Sequence, residues 1–189
     1  VDLDGGRIVS YVVGGEEQLW MPEVPQVAPG WRHGGIPICW PWFGVNARGE
    51  VHGTAWQRTF ELSGKTLSSE ESSADLMLRE GDLTFRYRVL LTDSLRLEAE
   101  VSNDGSKDAS YTIGFHPYFR VSSRDNCVVE GLGGLSFEDD PSFPNGTNGF
   151  WRGNVRTTNR IDRIYATTGT VQTCVLRECG ATSRQLVFE

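Results

Sequence analysis

Histidine is scarce in this chain: 189 residues contain three, His33, His52 and His116. The four cysteines, Cys39, Cys127, Cys174 and Cys179, form no Cys-x-x-Cys pair, and no histidine stands at zinc-finger spacing from them. A zinc centre is therefore not expected, and neither a metal nor a cofactor is implied. The cysteines sit in apolar or strand-like segments, which fits buried free thiols in a reducing, intracellular setting. No apolar run approaches the ~20 residues of a membrane span, and no charged-then-apolar leader opens the chain. Lys and Arg number 18 against 25 Asp and Glu and are scattered, for a net charge of −7. That balance argues against nucleic acid or an anionic membrane as the main partner. Long helical periodicity, internal repeats, low-complexity tracts and a domain boundary are all absent, so residues 1–189 read as a single domain large enough to bury a core.

What is present is glycine (22 residues), an aromatic content of 11% and many short strand signals. Arg7 to Val13 is rich in β-branched and aromatic residues and stops at Gly14-Gly15, a hairpin signal. Glu17 to Met21 reads as a short strand halted by Pro22 and Pro25. Ala74–Arg79, Leu83–Leu91 and Leu95–Val101 read as three further strands joined by tight links at Glu80-Gly81-Asp82 and Thr92-Asp93-Ser94. In the second of these, alternation puts Leu83, Phe85, Tyr87 and Val89 on one face; Leu95, Leu97, Ala99 and Val101 repeat the pattern. Short alternating strands with hardly any helix predict an all-β fold, an antiparallel β-sandwich. Lys65 to Ser73 reads as an exposed loop or strand end. Glu138 to Asn159, with its prolines and glycines, reads as a long irregular connection. Asn145-Gly146-Thr147 within it matches a glycosylation sequon but reads as a turn.

Four segments carry candidate chemistry. The run from Trp31 to Gly44 joins a Gly-Gly pair to Trp40-Pro41-Trp42-Phe43, a stiff aromatic wall suited either to the apolar face of a sugar or to plugging the sandwich. His52-Gly53-Thr54-Ala55 places a histidine before a glycine at the start of an apparent strand. Gly114-Phe115-His116-Pro117-Tyr118-Phe119 sets a histidine among aromatics, either an acid/base group or a satisfied core residue. Arg160-Ile161-Asp162-Arg163-Ile164-Tyr165 flanks a carboxylate with arginines, which favours its ionised form or makes an ordinary surface ion pair.

In this order, Gly-Gly-Ile-Pro with Trp-Pro-Trp-Phe-Gly, His-Gly-x-Ala, Gly-Phe-His-Pro-Tyr-Phe and Asp-Arg-x-Tyr resemble the aldose 1-epimerase (galactose mutarotase-like) superfamily. The first two segments resemble most its hexose-6-phosphate mutarotase branch. The resemblance covers most of the chain and implies a large β-sandwich with an open sugar-binding face. It implies exchange of the α and β anomers of an aldohexose or hexose phosphate by acid/base ring opening, with no cofactor. By resemblance His116 would be the acid, His52 and Asp162 would contact the sugar, and Arg32, Trp40 and Trp42 would join the substrate-binding set.

The sequence also departs from that branch. Where the branch has arginine directly before Gly-Gly-Ile-Pro, this chain has His33, with Arg32 one residue earlier; where a second arginine follows His-Gly-x-Ala, it has Trp56. Neither replacement can form the bidentate fork that arginine offers a phosphate, which points toward a neutral sugar or no sugar. The family's general base, a glutamate beyond a Trp-Asn-Pro segment, is expected past Glu189. The resemblance further implies a sandwich incomplete at both ends, with open edges that a protein partner would cover. Three readings follow: a sugar epimerase, a catalytically degenerate relative serving as an interaction subunit, or a sugar-binding module without catalysis.

Overall fold

In the computed structural model, which describes residues 1–23, 31–139, 148–158, 161–167, 172–178 and 184–188, the best-defined element is a four-stranded meander built from alternating side chains. It comprises β4 (Glu61–Leu67), β5 (Ser72–Glu80), β6 (Leu83–Leu91) and β7 (Leu95–Asn103), paired in that order and antiparallel throughout. Register lines up three apolar rungs across it: Ala74–Val89–Leu97, Leu76–Tyr87–Ala99 and Leu78–Phe85–Val101. The rungs between them are charged, Asp75–Arg88–Glu98 and Met77–Arg86–Glu100. A one-residue slip would exchange the two faces, so the pattern itself sets the register.

The apolar face packs on segments from either side of the meander in sequence. Ahead of it in sequence, the exposed valines of β1 (Val12–Val13) pair with β2 (Glu16–Glu17) through Gly14-Gly15, whose φ values of 59° and 85° suit a two-residue hairpin. The covering segments include β3 (Ile38–Cys39), which pairs with β8 (Gly114–Phe115). Ile8, Leu19, Ile36, Ile38, Trp40, Ala55 and Phe60 from this layer meet Leu76, Leu78, Phe85, Tyr87 and Val89 from the sheet. Two apolar layers closing over one core are what make the unit a sandwich.

The chain groups into two compact units, Val1–Arg120 and Val121–Glu189. The second holds β9 (Cys127–Glu130), β10 (Ser136–Asp139), β11 (Asn148–Phe150), β12 (Val155–Arg156), β13 (Arg163–Ala166), β14 (Gln172–Glu178) and β15 (Arg184–Phe188). They form two antiparallel sheets, ordered β11-β10-β13 and β12-β9-β14-β15. Among the described residues, helix is confined to the 3-10 turns Ala55–Gln57 and Arg124–Asn126, and no helix is long and apolar enough to cross a membrane.

Two expectations are corrected. Lys65 to Ser73 is largely strand: β4 runs to Leu67 and β5 begins at Ser72, with only residues 68–71 turning between them. β4 escapes detection because both its leucines, Leu62 and Leu67, are exposed and its register shifts between Leu62 and Gly64. The irregular connection carries the short strands β11 and β12; Pro141, Pro144 and Asn145–Thr147 lie outside the described residues, as do Pro25, Cys179 and Arg160. Of the cysteines, Cys39, Cys127 and Cys174 are buried free thiols. Burial pushes the Cys39 thiol up to about 12, so it stays protonated and unreactive.

Candidate active site: three histidines around Trp31 and Tyr118

The residues from 116 to 118 run extended beside residues 35 to 37. His116 N–H donates to Pro37 O (3.0 Å) and Tyr118 N–H to Gly35 O (2.8 Å). In an extended segment residues i and i+2 share a face, and the rings of His116 and Tyr118 stack with centroids 4.8 Å apart at 21°. Gly35 also permits the close approach of Ile8: its φ is 68°, and a Cβ there would lie 2.1 Å from Ile8 O.

His52 arrives by a different route. Its backbone lies in the left-handed region at φ 60°, a conformation that costs a non-glycine residue about 1–3 kcal/mol. The next residue, Gly53, bridges Trp40 so closely that a Cβ would sit 2.1 Å from Trp40 O. His52 N–H donates to Gly44 O (2.8 Å) and Gly44 N–H donates to His52 Nδ1 (3.1 Å). Because Nδ1 accepts, the neutral ring carries its proton on Nε2. The strand expected to start here is instead a bridge followed by a 3-10 turn.

The two imidazoles meet with centroids 5.6 Å apart, near edge-on at 65°. Trp31 packs on both, 4.6 Å from His52 and 5.7 Å from His116, and on the edge of Trp56 at 5.5 Å. Phe43 packs on His52 at 5.0 Å. Trp31 Nε1 donates to Tyr118 Oη (2.9 Å), and His33 Nδ1 lies 2.9 Å from that same oxygen. Trp56 Nε1 donates to Gly53 O (3.0 Å). Both indole N–H groups are thus engaged within the protein, leaving the rings as apolar surface. Burial raises the Tyr118 hydroxyl above its usual pKa, against a smaller lowering from the Trp31 bond, so the phenol stays neutral.

Of the residues singled out in sequence, His52 and His116 are brought together. Trp40 is corrected: with 0% exposure it stacks on Phe85 at 5.3 Å, inside the core. Trp42 is half-buried and donates Nε1 to Glu50 O (3.3 Å). Arg32 is half-buried and close enough to Arg7 to lower its pKa, an effect smaller than desolvation and opposed by Asp2. Asp162 is exposed in the second unit, directly before β13. The aromatic wall is therefore Trp31, Trp56 and Phe43, not the Trp-Pro-Trp run. His33, Trp31 and Tyr118 were missed as a set because they lie up to 87 residues apart; the one available clue was that two of them neighbour the Gly-Gly and His-Pro motifs.

The aldose 1-epimerase family model matches residues 3–187, and the chain belongs to that family. Over 158 residues it is 34% identical to a “Putative glucose-6-phosphate 1-epimerase” of Cenchrus ciliaris, covering 73% of this chain and 48% of that protein. Over 146 residues it is 31% identical to the protein of the same description from Salmonella typhimurium, covering 69% and 48%. The chain thus spans about half the length of these relatives. The crystal structure of a “putative mutarotase” from Salmonella typhimurium superposes with a TM-score of 0.80 at 26% identity, over 94% of this chain and 62% of that one.

Proposed function

We propose that the protein is a sugar 1-epimerase that interconverts the α and β anomers of an aldohexose or its phosphate. The reading is carried by the His52–His116 pair beneath Trp31, in a chain of the aldose 1-epimerase family. His116 donates a proton to the ring oxygen as the bond from C1 to that oxygen breaks. A carboxylate base, by resemblance a glutamate, takes the proton from the anomeric hydroxyl. The open aldehyde rotates about C1–C2 and closes on its other face by the reverse transfers, so protons balance over the cycle. Each positioned transfer contributes about 10²–10⁴-fold. His52 Nε2–H binds a sugar oxygen, and the faces of Trp31 and Trp56 take the apolar side of the ring.

The free sugar is the favoured substrate, because Trp56 offers an apolar ring with its N–H already bound to Gly53. The three buried thiols favour a reducing, intracellular setting. Polarimetry with freshly dissolved α-glucose, and separately with its 6-phosphate, tests the activity. Acceleration of both or either over buffer supports the proposal, with the free sugar faster; no acceleration of either by the full-length protein overturns it. Asp162→Asn tests the further sugar contact that the resemblance implies, through a raised KM.

A further inference from the structure

The third histidine is left unused by that reaction. His33 is exposed, and its Nδ1 lies 2.9 Å from Tyr118 Oη, while its ring meets the Tyr118 ring edge-on at 5.7 Å and 89°. Trp31 Nε1 donates to the same oxygen. A phenol oxygen has one proton and two lone pairs, so these two partners pin Oη and with it the swing of the side chain about Cα–Cβ, while the rings packed on Tyr118 set its plane. The opposite end of the arrangement is the stack of Tyr118 on His116, with Trp20 packed on Tyr118 at 6.0 Å.

We propose that His33 and Tyr118 are positioning residues that hold the His116 imidazole at its working angle. The hydrogen bond on Oη fixes where the phenol sits, the edge-on His33 ring limits its tilt, and the stack passes that placement to His116. Tyr118 is suited to this role because it remains neutral, so it orients the imidazole without adding a charge beside it. The charged and titratable groups around this chain are Arg7, whose Nη1 donates to His33 O (3.1 Å), with Arg32 beside Arg7, His52 and His116 on Trp31, and Cys39 near Tyr118.

The catalytic arm rests on the proposed acid role of His116; a spectroscopic arm does not. In the first, His33→Ala and Tyr118→Phe each lower kcat for anomer exchange about tenfold, the scale of a misplaced catalytic group. KM stays within about twofold, and the double variant is no slower than the worse single one. His33→Gln, whose amide can still reach Oη, recovers most of the loss. In the second arm, imidazole 15N spectra follow the titration of His116. Its midpoint moves in His33→Ala and Tyr118→Phe but not in Ser63→Ala, a control on β4 whose hydroxyl bonds only Asp75 O. Unchanged His116 spectra in both variants overturn the inference whether or not the protein is an epimerase. Losses that multiply in the double variant overturn it too. Spectral shifts in a protein that accelerates neither sugar uphold the positioning and refute only the reaction.

Discussion

Each unit of the molecule contains a cluster of packed aromatic rings, and the two clusters enclose different things. In the second unit, Phe137, Trp151 and Tyr165 surround Arg163, whose guanidinium carbon sits 3.9 Å over the Phe137 ring and 4.8 Å over Trp151. That cation is in turn held by both oxygens of Asp139, at 2.5 and 3.1 Å, with the two side chains only 14% and 13% exposed. The rings are filled by the protein's own ion pair, and the result is a staple between β10 and β13. In the first unit the rings of Trp31, Trp56, Phe43 and Tyr118 surround imidazoles that remain half-buried. One box has its cation built in; the other holds groups able to gain and lose a proton near neutral pH. Aromatic density alone is therefore no guide to a site: the chemistry of what the rings enclose decides.

The comparison can be broken most directly at His116. His116→Ala is expected to reduce anomer exchange by about 10²–10⁴-fold with the fold retained, read by polarimetry alongside circular dichroism. Full activity in that variant would leave the first box no different in kind from the second. The reverse experiment is Arg163→Met, which takes away the guanidinium partner of a nearly buried carboxylate. It should cost about 3–5 kcal/mol in denaturant unfolding of the purified protein, and replacing Asp139 by Asn in the same chain should recover part of it. A loss below about 1 kcal/mol would mean the staple is only a surface pair.

Smaller effects sharpen the same contrast. Trp31→Ala should raise the sugar KM about tenfold, near 1.4 kcal/mol of binding, while Trp42→Ala, anchored instead on Glu50 O, should change it much less. Equal effects would restore the wall first read from the Trp-Pro-Trp run. Last comes Glu178, a carboxylate of the second unit held mainly by hydrogen bonding. The Ser122 hydroxyl bond holds it below the usual carboxylate range, with the Ser122 and Ser123 amides adding to that. A folded-state pKa depressed in this way gives stability that is full above the ordinary carboxylate value and lost as pH falls through the lower folded value. Glu178→Gln should remove that part of the acid sensitivity, seen as a flatter dependence of the unfolding midpoint on pH below the carboxylate range.

The sequence was most readable where one face of a strand is buried and the other charged. Leu83–Leu91 was bounded to the residue because Leu83, Phe85, Tyr87 and Val89 must turn inward together. β4 lacked that asymmetry, since its apolar residues face solvent and a bulge interrupts its period. In the site, His52 and His116 stood out through their local motifs. Trp40 was misread because Trp40-Pro41-Trp42 looks like one aromatic surface, whereas Trp40 continues β3 into the core and Trp42 does not. His33, Trp31 and Tyr118 become a unit only through contacts 85 and 87 residues apart, which no local pattern records.

Those long separations bear on how the protein acquires its site. The whole four-stranded meander lies in sequence between the Tyr118 hydroxyl and its two partners, and loops of that length cost more entropy to close than neighbouring hairpins. A chain emerging during synthesis can pair β5 with β6 and β6 with β7 well before His33 finds Tyr118. The histidine cluster thus serves as a marker of completed folding: partly assembled molecules can contain most of the sheet and still lack any arrangement that could handle a sugar.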